Sequence, residues 1–294
     1  MKVLFAYQAP TLIDNLAACD LWDATVVDLG DSTGFDERKL LRTPRCVSSS
    51  GAGWVFVCTP LQLQNAQLLA AYGTKICWVM HNGKMNHDLR SDLRPHKVHR
   101  IACMSQRNAE QVEQWLGSDV PIFVLRPAYE PDAKWKRWTK DVSWTVKSRP
   151  WARDRQALDT LYAVIKNAGA FDHRWYGQGQ PNGFLLPGEK AKLLEACSCY
   201  VSCLPFWAGF GLTEHECMAA GVPVIGSLWG DTCLRRSEDW LLDDSIENQT
   251  RFLWETRERS LLDHVHMCEA QFDYLREFCS LEARRRSIEE FLDG

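Results

Sequence analysis

Lys147, Arg149, Arg153 and Arg155 set four cations within nine residues, and Gly209-Phe210-Gly211-Leu212-Thr213 puts glycine-flanked backbone at an expected helix start. Glycine allows close backbone approach, and the first turn of a helix aims unpaired N–H groups and a positive dipole end at whatever lies in front of it. An anion suits that position, phosphate most commonly. Arginine grips phosphate oxygens through paired N–H donors and stays charged as a leaving group gains charge. Glu216, one turn into the same helix, adds a carboxylate whose natural partner is a ribose or sugar hydroxyl. A lone Gly-x-Gly occurs in many α/β turns without a ligand, so the weight falls on the whole stretch from Phe206 to Ser227.

Three further groups could do chemistry. His81 follows the apolar run Lys75–Met80, and in open α/β sheets ligands collect at the carboxyl ends of strands. The alternative for His81 is a strand-end histidine satisfied by a loop carbonyl. The segment from His81 to Arg100 is basic, with Lys84, Arg90 and Arg94 among its cations, and Lys136 and Arg137 lie between Trp135 and Trp138. Cations interleaved with aromatic rings suit a nucleic-acid backbone and an exposed base; a solvated loop and a tryptophan-rich linker explain the same residues. Cys197, Cys199 and Cys203, and His264, His266 and Cys268, lie close in sequence but lack paired metal-ligand spacing, so no metal site is expected.

The elements that must position these groups alternate. Strands are expected at Lys2–Tyr7, Thr25–Leu29, Trp54–Cys58, Lys75–Met80, Ile101–Met104 and Ile122–Leu125, with helices at Thr11–Cys19, Leu61–Tyr72 and Gln106–Leu116 between them. The alternation restarts with a strand at Val142–Val146, a helix at Arg153–Lys166, a strand at His173–Gly177, a helix from Pro187 to Cys197 and a strand at Tyr200–Leu204. From Asn248 the chain is expected to be helical to its end, with Leu261, Val265, Cys268, Phe272, Leu275 and Cys279 on one face. Strands alternating with helices give parallel, doubly wound sheets. The expected division is a Rossmann-like domain at 1–130, a linker at 131–140 and a second Rossmann-like domain with a C-terminal helix at 141–294.

Length and composition fit this. A chain of 294 residues with 46% hydrophobic and 24% charged residues accommodates two globular cores. The net charge of −4 divides into +3 over residues 1–140 and −7 over 141–294, and the pI near 6.1 carries no general nucleic-acid signal. Twelve cysteines without an export signal or a membrane-length apolar run suggest free thiols and a cytoplasmic location, that of the host if the chain is viral.

The stretch Gly209-Phe210-Gly211-Leu212, Glu216, Met218-Ala219 and Gly221-Val222-Pro223-Val224-Ile225 resembles the signature of retaining GT-B glycosyltransferases, the glycogen synthase-like and bacterial mannosyl- and glucosyltransferase-like group. Ala208 stands where that signature has its first glutamate, and Cys217 where it has alanine. The resemblance implies two Rossmann-like domains facing a cleft, with a carboxy-terminal helix crossing back to the first. It implies a nucleoside-diphosphate sugar as donor substrate, transfer with retention, and neither metal nor other cofactor. It places Glu216 on the donor ribose, main-chain groups around Phe184 and Leu185 on the base, and His81 beside the donor sugar and acceptor. Lys147 and Arg155, with Arg149 and Arg153, fall on the diphosphate, although the family's arginine and lysine are five apart. For the carboxylate missing at position 208 the alternatives are an unusual donor, a replacement acceptor supplied by Glu214 or a water, or an inactive binder.

Compact viral enzymes that glycosylate DNA use this architecture, so a polyanionic acceptor, in its sharpest form modified viral DNA, is favoured. Small molecules, lipids and polysaccharides stay open, as do the sugar, the base and the oligomeric state. A non-catalytic nucleotide-sugar binder is the rival suggested by Ala208. The rivals among α/β proteins are an epimerase and a dinucleotide oxidoreductase; the latter would need Gly-x-Gly-x-x-Gly after an early strand, where Gln8, Ala9 and Pro10 stand instead.

Overall fold

A computed structural model describes residues 1–6, 16, 18–27, 29, 51–71, 73–80, 98–116, 120–131, 142–146, 155–169, 172–177, 180–202, 204, 208–235 and 240–294. The chain forms two compact units, Met1–Ala128 with Leu281–Gly294, and Tyr129–Ser280.

The first unit is built on six parallel strands, β1 (Lys2–Ala6), β2 (Asp23–Val27), β3 (Trp54–Val57), β4 (Lys75–Met80), β5 (Arg100–Cys103) and β6 (Ile122–Val124), in the order β2-β1-β3-β4-β5-β6. β3 and β5 are buried along their whole length, as parallel strands covered on both faces must be. One face packs on α1 (Pro60–Ala70) and α2 (Gln106–Leu116) through Leu63, Ala66, Leu69, Ala109 and Val112. Thr59 caps α1 by accepting from the Gln62 amide, and Pro60 fills its first position, where a missing N–H costs nothing. The other face is aromatic. Phe5 stacks on Phe56 at 4.6 Å, and Phe291 of α8 (Leu281–Asp293) sits 4.9 Å from Trp54 and 5.4 Å from Phe123. The Arg100 guanidinium lies within 5.0 Å of the Trp54, Phe123 and Phe291 rings, a cation held on three π faces. The carboxy-terminal helix is thereby keyed into the first unit's sheet.

The second unit has four parallel strands, β7 (Val142–Val146), β8 (Asp172–Tyr176), β9 (Cys199–Ser202) and β10 (Val224–Gly226), in the order β10-β9-β7-β8. Alternation puts Tyr200 and Val224 into one core and Cys199, Val201 and Ile225 into the other. The helices are α3 (Arg155–Ala168), α4 (Pro187–Ala196), α5 (Leu212–Ala219), α6 (Ile246–Glu258) and α7 (Leu261–Tyr274). Gln271 of α7 covers the edge of β10: its Oε1 accepts from the Val224 amide at 3.0 Å and its Nε2 donates to the Val224 carbonyl at 2.7 Å.

The expected continuous helix from Asn248 is instead three. Ser260 caps α7 in a reciprocal box with Asp263, and a π-helical turn at Leu275–Cys279 ends at the extended Ser280 before α8 begins. The expected apolar face survives at Cys268, Phe272, Leu275 and Cys279, all buried, whereas Leu261 in the first turn of α7 is exposed. Of the expected helix Thr11–Cys19, only Leu16 is described as helical. No helix of the described residues is long and apolar enough to cross a membrane.

Candidate functional site

The order β10-β9-β7-β8 reverses direction between β7 and β9, which pair in parallel through Ser143↔Cys199 and Trp144↔Tyr200. The carboxyl ends of two such strands bound the crevice where open α/β sheets hold ligands. β7 ends at Val146, directly before the cation-rich segment of the sequence, and β9 ends at Ser202, before the glycine-rich stretch. Arg155 is the first residue of α3. Lys147, Arg149 and Arg153 lie outside the described residues, as do His81, Lys84, Arg90, Arg94, Lys136, Arg137 and Cys203.

Gly209, Phe210, Gly211, Leu212, Thr213 and Glu216 come together at the start of α5. Gly211 is the N-cap, with extended backbone and no side chain to cap with, and the Glu214 carboxyl in the same first turn bonds its own backbone amide. A Cβ on Gly211 would lie 2.4 Å from Leu204 Cδ1 and 2.5 Å from Glu214 Oε2, which makes glycine the residue that fits. Behind the loop, Gly230 has φ +43°, and a Cβ there would meet the Gly209 carbonyl at 2.4 Å. The loop is clamped on both sides.

Two further residues lie beneath the loop: Glu214, named from the sequence as a possible stand-in for the carboxylate missing at position 208, and His215, which the sequence did not single out. Glu214 is 4% exposed; its Oε1 accepts from Ser202 Oγ at 3.0 Å and from Tyr200 OH at 3.3 Å. Burial pushes its carboxyl above the usual carboxylate range, against hydrogen bonds that pull it down and with a smaller push from Glu216. The carboxyl is thus engaged inside the unit through Oε1, and Ala208 is itself buried. His215 is fully buried, with Nδ1 2.6 Å from the Gly211 carbonyl and Nε2 3.1 Å from Tyr274 OH. A carbonyl only accepts, so Nδ1 carries the proton, and Nε2 accepts from Tyr274 in the neutral ring. Phe210 stacks on His215 at 3.7 Å and 13°, and Tyr129 lies 5.7 Å from the same ring. Burial, with Glu216, Cys279 and Glu214 nearby, raises the Tyr129 phenol well above its usual range.

The second expected binding segment precedes α4. Phe184 is 69% exposed and Leu186, the N-cap, 59%, while Leu185 packs against the core. The Leu186 amide donates to Glu189 Oε2 at 3.1 Å, which fixes the entry to the helix. One turn on, Lys190 Nζ forms an ion pair with Glu216 Oε2, linking α4 to α5. Lys190 could not be found from spacing, because its partner lies on a helix distant in sequence; His215 joins the Gly211 carbonyl four residues back to Tyr274, fifty-nine residues on. No group of three or more metal-ligating side chains occurs among the described residues, and no disulfide joins their cysteines.

No protein-family model matches the chain, and no curated protein sequence does. Solved structures do. HepE of Anabaena, in complex with UDP and glucose, superposes with a TM-score of 0.69 at 14% identity over 100% of this chain and 99% of its own. A glycosyltransferase from Rickettsia africae gives 0.64 at 10% identity over 99% and 97%. A TarM variant of S. aureus, in complex with UDP, gives 0.66 at 12% identity over 82% of this chain; the match spans 55% of TarM, about half its length. The fold is GT-B. In GT-B terms the Tyr129–Ser280 unit carries the signature helix α5, and α8 is the carboxy-terminal helix that belongs to the other Rossmann-like unit.

Proposed function

We propose that this GT-B protein is a glycosyltransferase that takes its sugar from a nucleoside diphosphate held by the Tyr129–Ser280 unit. The observation that carries the reading is the start of α5: a glycine N-cap without a side-chain cap, at the carboxyl end of β9, with Glu216 one turn on. Several proteins of like fold were solved with UDP. Breaking a sugar–phosphate bond builds positive charge on the ring carbon and negative charge on the diphosphate. The amides of Gly211 to Thr213, with Arg149, Arg153, Lys147 and Arg155, are assigned to that diphosphate. One preorganised donor of this kind is worth about 3 kcal/mol in the transition state. Glu216 takes the ribose, the backbone at Phe184 and Leu185 takes the base, and His81 stands beside the reacting sugar. The sugar is transferred with retention.

The acceptor we favour is a polyanion, modified viral DNA in its sharpest form, met by Lys84, Arg90, Arg94, Lys136 and Arg137. The test is incubation with a panel of UDP-, GDP- and ADP-sugars, with and without duplex DNA, measuring free nucleoside diphosphate and labelled acceptor. Release that rises with DNA supports both parts; release with other acceptors alone removes DNA. Ala208 favours a second reading, a nucleotide-sugar binder without turnover, because one lost carboxylate contact to a sugar hydroxyl costs about 1.5 to 3 kcal/mol. Tight binding without release would identify that case.

A further inference from the structure

Lys190 and Glu216 sit 26 positions apart in the chain, on different helices, and form an ion pair through Nζ and Oε2 with side chains 29% and 21% exposed. The pair lies between the two segments assigned to the nucleotide. Lys190 is one turn into α4, just after the exposed Phe184 and Leu186, and Glu216 is one turn into α5. A glutamate side chain has three rotatable bonds, and fixing it costs rotamer entropy that a ligand must otherwise supply on binding. A second carboxyl, that of Glu214, sits two residues before it in the same turn and is sensitive to the Glu216 charge.

We propose that Lys190 is a positioning residue for the nucleotide ribose: by holding Oε2 of Glu216 it presents Oε1 to the ribose hydroxyls before the ligand arrives. This rests on the reading of Glu216 as a ribose ligand. The ammonium suits the task, since its three rotatable donors engage one carboxylate oxygen without occupying both, as a bidentate guanidinium tends to do. The competing role is a strap between α4 and α5, which as a partly exposed ion pair would contribute little and would not distinguish one nucleotide from another.

The experiment measures, by calorimetry, the affinities of UDP, GDP and ADP and of their 2′,3′-dideoxy counterparts for the native chain, Lys190→Met, Lys190→Arg and Glu216→Gln. Thermal unfolding checks that each variant is folded. The native chain is expected to prefer the ribonucleotide it binds by about thirtyfold, as a hydrogen bond to a charged group allows. Lys190→Met is expected to reduce that preference about tenfold through lower ribonucleotide affinity alone. Dideoxynucleotide affinity stays within about twofold. Lys190→Arg is expected to recover part of the preference. An unchanged preference in Lys190→Met, or an equal loss for both nucleotides, overturns the inference about Lys190. Should the native chain bind none of these nucleotides, or Glu216→Gln keep the full preference, the ribose reading itself is overturned and the Lys190 inference with it.

Discussion

Gly211 and Glu214 are packed so closely that a methyl group on the first would lie 2.5 Å from Oε2 of the second. This contact ties the N-cap of α5 to a carboxyl buried under the same turn, and it leaves no room for a side chain in front of the first amides. Gly211→Ala is expected to cost about 1 to 3 kcal/mol of stability by overpacking. Displacing the Leu212 and Thr213 amides is expected to lower turnover by about 100-fold. Urea unfolding and release of nucleoside diphosphate measure the two effects separately.

Gly230 supports the loop from the other side, and here the neighbour is backbone. A Cβ would stand 2.4 Å from the Gly209 carbonyl at a φ of +43°. Gly230→Ala is expected to be at least as destabilising as Gly211→Ala, by about 2 kcal/mol or more, because a carbonyl cannot swing aside as a side-chain tip can. Denaturant midpoints of the two variants, compared directly, check the order.

Glu214 gives the protein a pH dependence of a particular sign. Its carboxyl is raised in the fold by burial, so the folded chain holds a proton that the unfolded chain releases. Its contribution is complete below the ordinary carboxylate range and is lost as the pH rises from about 4.5 through the raised folded value. Glu214→Gln keeps an acceptor for Ser202 and Tyr200 and removes the titration. The variant is expected to match the native chain near pH 4.5 and to exceed it in stability at pH 8, in unfolding midpoints taken across that range.

His264 acts in the opposite sense. Its Nε2 donates to the Gly221 carbonyl at 3.1 Å, at the turn between α5 and β10, and burial lowers its pKa from 6.5 to about 4. The unfolded chain binds the proton first, so this contribution is present above pH 6.5 and is lost as the pH falls toward 4, by up to about 3 kcal/mol. His264→Gln is expected to be less stable at pH 7 and to lose stability less steeply on acidification. The slope of unfolding free energy between pH 7 and 4 is the measurement.

How much of this could be seen in the residues themselves differs by element. Most strands were legible because they are short apolar runs, β8 (Asp-His-Arg-Trp-Tyr) being the exception, and β4 and β7 begin and end where their side-chain patterns begin and end. The start of α5 was legible because Gly211 and the Gly221 turn are local requirements of the backbone. The break at Ser260 was visible only as a capping pair, Ser260 with Asp263, inside a sequence whose periodicity runs straight through it. The burial of Glu214 was not legible, because a helix position says nothing about what covers it; Ser202, Tyr200 and Leu204 arrive from β9 and the segment that follows it. Lys190 was invisible for the same reason, since its partner belongs to another helix.

The most direct test of the nucleotide site is a crystal of the protein soaked with the nucleoside diphosphate that it binds. The expected result is a pyrophosphate seated on the amides of Gly211 to Thr213 at hydrogen-bonding distance, about 3 Å, with a ribose hydroxyl on Glu216. A nucleotide bound elsewhere, or a first turn of α5 closed to the ligand, would contradict the assignment of a sugar nucleotide to this unit.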